Sequence, residues 1–378
     1  MKLVKHAFVI LSVLFTILIC RSDKSALEKA DRLERLSKII ARPHVKMYGM
    51  GDLYPRGYAP HEIRKMYNLP HMGGKGTIAL ILAYHAPTSE KDLNIFSRKW
   101  NLPLCTKENF CFTQHKMVDD IVVDANWALE SAMDVQWAHA IAPEARILLV
   151  EAKSAQLDDL LLAVDYARNR ADVVAVSMSW GSEEFPEETE INNYFVSPYG
   201  ATFFASSGDD GTFVGWPAVS PNVVGVGGTT LRIKWDNTFI SETAWTGSGG
   251  GISQYEPMPF YQKVFGLNGE KRCVPDVSFN GDSETGVAVF MSLESAGYQG
   301  WYKLGGTSAG TPAWAGIKSL GLSAQNAIFY EDAMSKILYP AVFRDITEGK
   351  NGTCGVVCTA QKGYDHITGL GSPLVTVY

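Results

Sequence analysis

From about residue 58 onward, short and continuously apolar runs alternate with stretches whose apolar positions recur at helical spacing. GTIALILAY (76–84), ARILLVEA (145–152), DVVAVSMSW (172–180), ATFFASSG (201–208) and NVVGVGG (222–228) read as buried strands. The stretches between them predict helices over 87–100, 125–142, 155–170 and 187–199. Strands that are apolar throughout, separated by helices, predict an α/β fold with a mainly parallel sheet and helices on both faces. Active sites in such sheets lie at the carboxyl ends of the strands. No repeat or low-complexity linker interrupts the pattern, so residues 51–378 are expected to form a single domain. Upstream, KSALEKADRLERLSKIIAR (24–42) has helical spacing on a charged background and stops at Pro43, which predicts a short surface helix within an N-terminal segment, 23–50.

The first residues follow a different pattern. MKLVKH is basic and AFVILSVLFTILIC (7–20) is apolar, the layout of a secretory signal, taken here as residues 1–22. ILIC at 17–20 makes a poor lipobox, and about 14 apolar residues are few for a membrane span. The mature chain is therefore expected outside the cell or in an acidic lumen, without stable membrane insertion. Removing Lys2, Lys5 and Arg21 with the signal takes the formal charge from −6 to −9. An acidic surface argues against nucleic acid as a partner. Of the six cysteines, Cys20 leaves with the signal, while Cys105 with Cys111 and Cys354 with Cys358 are spaced for small disulfide loops in an oxidising compartment. Neither pair has the doublet or histidines of a zinc site. Cys273 is left over and is expected to be a buried thiol.

Three stretches carry candidate chemistry. GGTSAGTP (305–312) sets Ser308 in a glycine-rich turn before the apolar run AWAGI; its core fits both a nucleophile elbow and a simple helix cap. In DANWALESAMDVQWAHAIAP (124–143), Glu130 and Asp134 fall on one helical face among apolar neighbours, with no Lys or Arg before Arg146. Such a pair is either a solvated acidic face or, if buried, two carboxylates that share a proton and have a raised pKa suited to acid–base work. SSGDDG (206–211) follows an apolar strand and puts Asp209 in a tight turn, which turn propensity alone would explain.

ESAMD, SSGDDG and GGTSAGTP, in that order, resemble the sedolisin family of serine-carboxyl peptidases, secreted relatives of subtilisins that cleave proteins in acid. The resemblance runs from YAPHEIRKMYNLP at about residue 58 to the end of the chain. It includes SMSWG (177–181), FVGWPAVSPNVVGVGGT (213–229), TGSGGGISQY (246–255), and DITEG followed by GYDHITGLGSP. It implies a subtilisin-like fold and a secreted endopeptidase in which Ser308 is the nucleophile, Glu130 its base, Asp134 the group that holds Glu130, and Asp209 the oxyanion donor. Ser179, Trp180 and Gly181, with Gly249, Gly250 and Gly251, match the two substrate-lining segments, although Trp180 could equally be core. Protein or peptide substrates and a monomeric enzyme are expected. The resemblance also implies one Ca²⁺ held by Asp345, Asp365 and the carbonyls of Ile346, Gly363 and a second glycine, a position that Gln361 takes here.

Other chemistries fit less well. A subtilisin would carry Asp where Ala83 ends the first strand and His where Glu130 stands. An α/β-hydrolase could take Asp345 and His366 after Ser308, but an elbow about 70 residues from the C-terminus leaves few strands to follow. His85, His139 and His366 read as surface or core residues. A non-catalytic binding protein on the same scaffold is the remaining alternative class. Sedolisins commonly carry a long prodomain. Only about 30 residues separate the signal from the peptidase-like region, so either the chain folds unaided or its 24–42 helix is a short inhibitory segment.

Overall fold

The computed structural model describes residues 31–375; the expected signal, 1–22, lies outside them. An eight-stranded sheet forms the centre. Its neighbours run Phe239–Ala244, Val223–Ile233, Thr202–Ser206, Val173–Met178, Thr77–Ala83, Arg146–Ala152 and Phe112–Lys116, and Val277–Asn280 also pairs with Val223–Ile233. Every pairing is parallel except that of Val223–Ile233 with Phe239–Ala244. Thr77–Ala83 is buried along its whole length, as a strand covered on both faces must be. Helices Ala125–Ile141 and Thr307–Ser319 pack on each other and on the sheet, and Leu157–Arg168 covers it from the other side.

Helix Ala125–Ile141 is buried from Trp127 onward, which its apolar residues on every face require. Asp124 caps it, accepting the N–H groups of Asn126 and Trp127 at 3.0 Å each. Gly316 lets helix Thr307–Ser319 come close: a Cβ there would lie 2.8 Å from Cβ of Ile141. Both carboxylates of the acidic pair are thereby enclosed instead of solvated.

Four local expectations change. Of the helix expected over 24–42, residues 31–36 are helical, and the chain is extended from Ile40. Ile40 bridges to Gln156, Ala41 donates to Ala155 at 2.8 Å, and Arg42–Pro43 pairs with Trp180–Gly181, so tertiary pairing overrides helical spacing just where Pro43 already disfavours it. Over 187–199 there are two 3₁₀ turns, Pro186–Glu190 and Asn192–Phe195, in place of a helix. There the Glu188 carboxylate accepts the N–H of Phe185, capping the first turn, and the Asn192 amide donates to Glu256, each at 2.9 Å. The run 172–180 breaks at Ser179, and Trp180–Glu183 leaves the main sheet. The hairpin Val287–Met291/Gly300–Gly305, joined by Lys46–Asp52, forms a second sheet outside the alternation of strands and helices. The cysteines behave as expected: Cys105–Cys111 and Cys354–Cys358 are bonded, and Cys273 is a buried free thiol.

Candidate active site

Strand Gly300–Gly305 feeds helix Thr307–Ser319 through Gly306, whose φ of +109° lies in the left-handed region that glycine tolerates. Gly310 holds the start of the helix tight on the sheet, since a Cβ there would meet Phe279 at 2.7 Å and Val226 at 2.8 Å. Ser308 thus sits in the first turn of a helix, where free N–H groups favour negative charge. Its Oγ is 3.1 Å from Oε2 of Glu130.

Glu130 and Asp134 are both 0% exposed. The Ser179 hydroxyl donates to Oδ1 of Asp134 at 2.9 Å. Oε1 of Glu130 and Oδ2 of Asp134 have no hydrogen-bond partner among the described residues. Burial, and then the Asp134 charge, hold the Glu130 carboxyl well above its usual range, and burial pushes Asp134 up to about 8. Two carboxylates so enclosed retain a proton between them through the acid range.

Asp209, in the turn after Thr202–Ser206, faces the same point from the sheet side. Its Oδ1 accepts the N–H and hydroxyl of Thr307 at 2.7 and 2.9 Å. Its Oδ2 is buried and has no partner among the described residues. Burial pushes the carboxyl up to about 7, so that below neutrality this oxygen carries a proton it can donate.

No imidazole ring contacts Ser308 among the described residues. His85 pairs with Glu151 at 2.8 Å, His139 bonds the carbonyl of Pro103 at 2.8 Å, and His366 packs edge-on to the Tyr364 ring, with centroids 5.5 Å apart. Asp345 binds Gly363, so the Ser308–His366–Asp345 arrangement of a hydrolase is not assembled. The nearest histidine is His44, whose ring Nδ1 lies 2.8 Å from the Ser206 hydroxyl while its backbone carbonyl accepts from Ser308.

The two segments expected to line a substrate are placed differently. Ser179 and Gly181 present backbone along an open edge that residues 42–44 occupy. The Trp180 side chain is core, 0% exposed with Nε1 on the carbonyl of Ile81. Gly249 and Gly250 are buried beneath the 207–213 loop, donating to Gly208 and Phe213, and Gly251 begins strand Gly251–Pro257. Thr307, Ser206 and His44 are the site residues that sequence reasoning missed. Thr307, inside GGTSAGTP, and Ser206, which opens SSGDDG, stood beside a usable signal, and His44 did not.

In the C-terminal loops, Asp345 accepts the Gly363 N–H at 3.0 and 3.1 Å. Asp365 is 2% exposed and accepts the N–H groups of Ile367 and Thr368 at 2.8 Å each. Asp365 and Asp345 accept the N–H groups of Gln361 and Gly363, so both meet the same short stretch of loop, and neither has a cationic side-chain partner among the described residues. Two uncompensated carboxylates with carbonyls nearby suit a hard cation. The one cluster of three His, Cys or acidic groups among the described residues, Cys105, Cys111 and His139, is already spent on the disulfide and the Pro103 bond.

Comparison with known proteins agrees with this geometry. The profile of the subtilase family matches residues 125–369. Sedolisin of Pseudomonas sp. (strain 101) is 29% identical over 92% of this chain and 64% of its own length. Kumamolisin of Bacillus sp. (strain MN-32) is 27% identical over 89% of this chain and 67% of its own. The chain thus spans about two thirds of the length of these relatives. The solved structure of Pseudomonas sedolisin complexed with two molecules of pseudo-iodotyrostatin superposes with a TM-score of 0.73 at 26% identity, covering 85% of this chain and 96% of that one. With the subtilase profile spanning well over half of its residues and sedolisins related along most of its length, the chain belongs to the subtilase family and, within that fold, to the sedolisins.

Proposed function

We propose that this chain is a secreted serine-carboxyl endopeptidase that hydrolyses peptide bonds of proteins in acid. The observation that carries the reading is the buried contact of Ser308 Oγ with Glu130 Oε2, without an imidazole in reach. Ser308 Oγ adds to the substrate carbonyl carbon as its proton passes to Glu130. Asp134 and Ser179 hold Glu130 in place. The carbonyl oxygen, now negative, receives a hydrogen bond from protonated Asp209, a donor of the kind worth about 3 kcal/mol. Glu130 then gives its proton to the leaving amine, and water attacks the ester by the same route in reverse. Rising pH ionises Asp209, which removes the donor and sets a negative charge against the oxyanion, so activity declines toward neutrality. Digestion of casein from about pH 2 to about pH 8 tests this: wild type should act on the acid side only, and Ser308→Ala at no pH. Activity retained in Ser308→Ala would remove the nucleophile assignment. Two disulfides are consistent with an exported protein.

The convergence of Asp345 and Asp365 without a cationic partner supports Ca²⁺ there, with carbonyls of Ile346, Gly363 and Gln361 as further ligands. A calcium ion would neutralise the two carboxylates and tie the two C-terminal loops together. Binding the native state only, it adds about 2.7 kcal/mol at a hundredfold excess over Kd. EGTA near pH 6 is therefore expected to lower the melting temperature of wild type, and to lower it less in Asp345→Ala. An unchanged wild-type melting temperature, with no calcium found by elemental analysis, removes the metal and leaves the catalytic assignment standing.

A further inference from the structure

A cavity of about 340 Å³ lies at the end of the main sheet away from Ser308. Phe195, Phe203 and Val224 line one part of it, and Thr202, Gln325 and Asn326 line another. Strands Thr202–Ser206 and Val223–Ile233 begin there, whereas Asp209 follows the far end of the first of them, so the cavity and the catalytic groups occupy opposite ends of the parallel strands. The volume is in the range of small-molecule sites, which set a few polar groups among apolar walls. None of the described residues that line it is charged.

Three sets of polar groups meet in this cavity. Helix Asn326–Met334 starts at it, and Gln325, the residue before its first turn, makes no side-chain bond to cap it. Among the described residues the first N–H of this helix with a partner is that of Phe329, on the Gln325 carbonyl at 2.9 Å, so the N–H groups of Asn326, Ala327 and Ile328 are free. The Asn326 side chain is the second set. It is 7% exposed, and its Nδ2 donates to the Val223 carbonyl at 2.7 Å and to the Tyr261 hydroxyl at 3.1 Å, which fixes Oδ1 as an acceptor. That oxygen has no partner among the described residues, and neither does the hydroxyl of Thr202, the third set. Buried polar atoms are nearly always paired, so two orphans lining one cavity call for a ligand that pairs them.

These groups match the last residue of a peptide. Free helix N–H groups and the Thr202 hydroxyl suit a carboxylate, and no acidic side chain in the wall repels it. Asn326 Oδ1 suits the amide N–H borne by the same Cα, and the apolar wall suits an uncharged side chain. We propose that this cavity binds the carboxyl end of a peptide whose last residue is apolar. Binding asks nothing of Ser308. If the peptidase reading above holds, each cut after an apolar residue leaves such an end on one fragment, and that fragment docks on the reverse side of the sheet, away from the cleft.

The experiment titrates the full Ser308→Ala chain with N-acetyl-L-leucine, followed by NMR, at about pH 5, where an α-carboxyl is ionised. One molecule should bind, with a Kd on the order of 1 mM for a ligand of this size. N-acetyl-L-leucinamide, which has the same amide and side chain but no carboxylate, should bind at least about tenfold more weakly. Thr202→Val removes the hydroxyl and keeps the shape, and should weaken N-acetyl-L-leucine by about tenfold. Ala327→Glu puts a fixed carboxylate at the same helix start. It should abolish binding while melting no lower than its parent, because that charge favours the helix, so lost binding is not lost folding. Equal binding of the acid and the amide, or no binding of the acid at about 20 mM, overturns the proposal. Binding that survives both substitutions belongs to the catalytic cleft and overturns it too. None of these outcomes bears on the peptidase reading, which casein digestion by wild type decides separately.

Discussion

Glu130→Gln is expected to lower kcat/KM on a protein substrate by about three orders of magnitude or more at acid pH, with little change in melting temperature. The size follows from what the amide can and cannot do. Gln has the volume and shape of Glu, so it can keep the Ser308 contact and the packing of helix Ala125–Ile141. It cannot accept a proton from the serine. General-base catalysis is worth about 10² to 10⁴, and removing one member of a unit that acts together has cost more than that in serine peptidases. The substitution should also relieve repulsion at low proton concentration, since a neutral amide would stand beside Asp134 in place of a second carboxylate, and Asp134 would then ionise more readily. Steady-state kinetics together with a thermal melt separate the two effects. A loss under about tenfold, in a variant that melts normally, would mean that Ser308 is activated by some group other than Glu130. Asp134→Asn keeps the Ser179 bond and the carboxylate facing Ser308, so its loss should be smaller and its pH profile shifted toward acid.

The acid pair and the serine were legible in the sequence because their chemistry conflicts with their surroundings. Two carboxylates inside an apolar helix without a nearby cation need a reason, and burial of the whole helix supplies it. Asp209 was legible only in combination with them, since a turn propensity explains SSGDDG equally well. What the sequence did not show depends on contacts distant along the chain. Nothing in ARPHVK announces that Arg42 and Pro43 pair with residues about 140 positions later, and the helical spacing of 24–42 pointed away from it. Thr307 fixes Asp209 through both its N–H and its hydroxyl, yet as a residue type it reads as filler between Gly306 and Ser308. The strands at 287–291 and 300–305 were missed although VAVFM is an apolar and almost wholly buried run, because they form an antiparallel hairpin beyond the stretch in which strands alternate with helices.

Raising the pH from about 4 to about 8 is expected to lower the melting temperature, by on the order of 10 °C, in the Ser308→Ala chain, which lacks the nucleophile and so keeps proteolysis out of the measurement. Asp209 and Asp134 have folded pKa values of about 7 and about 8, against an ordinary 3.8. Between the ordinary and the folded value the native state binds more protons than the unfolded chain, so stability is greatest below the unfolded pKa and falls as pH rises through that window. Holding the Asp209 carboxyl at about 7 instead of 3.8 corresponds to about 4 kcal/mol. In a domain of this size each kcal/mol moves the melting temperature by about 2 °C. The surface acts in the same direction, since a net negative charge grows with pH. Some contributions oppose the trend: Asp172 has a lowered pKa and shares bonds with Arg170 and Thr77, but it is part-exposed and its ion pairs are screened. Melting curves across this range, at constant calcium, measure the slope, and Asp209→Asn in the same background isolates one group. Because Asn carries no charge at any pH, that variant should melt higher than its parent at about pH 8 and no higher at about pH 4. A melting temperature that rises between the two pH values, or an Asp209→Asn chain whose slope equals its parent's, would show that Asp209 ionises at its ordinary pKa. It would then be a charged turn residue across the working range, and the oxyanion would have to be held by backbone N–H groups alone.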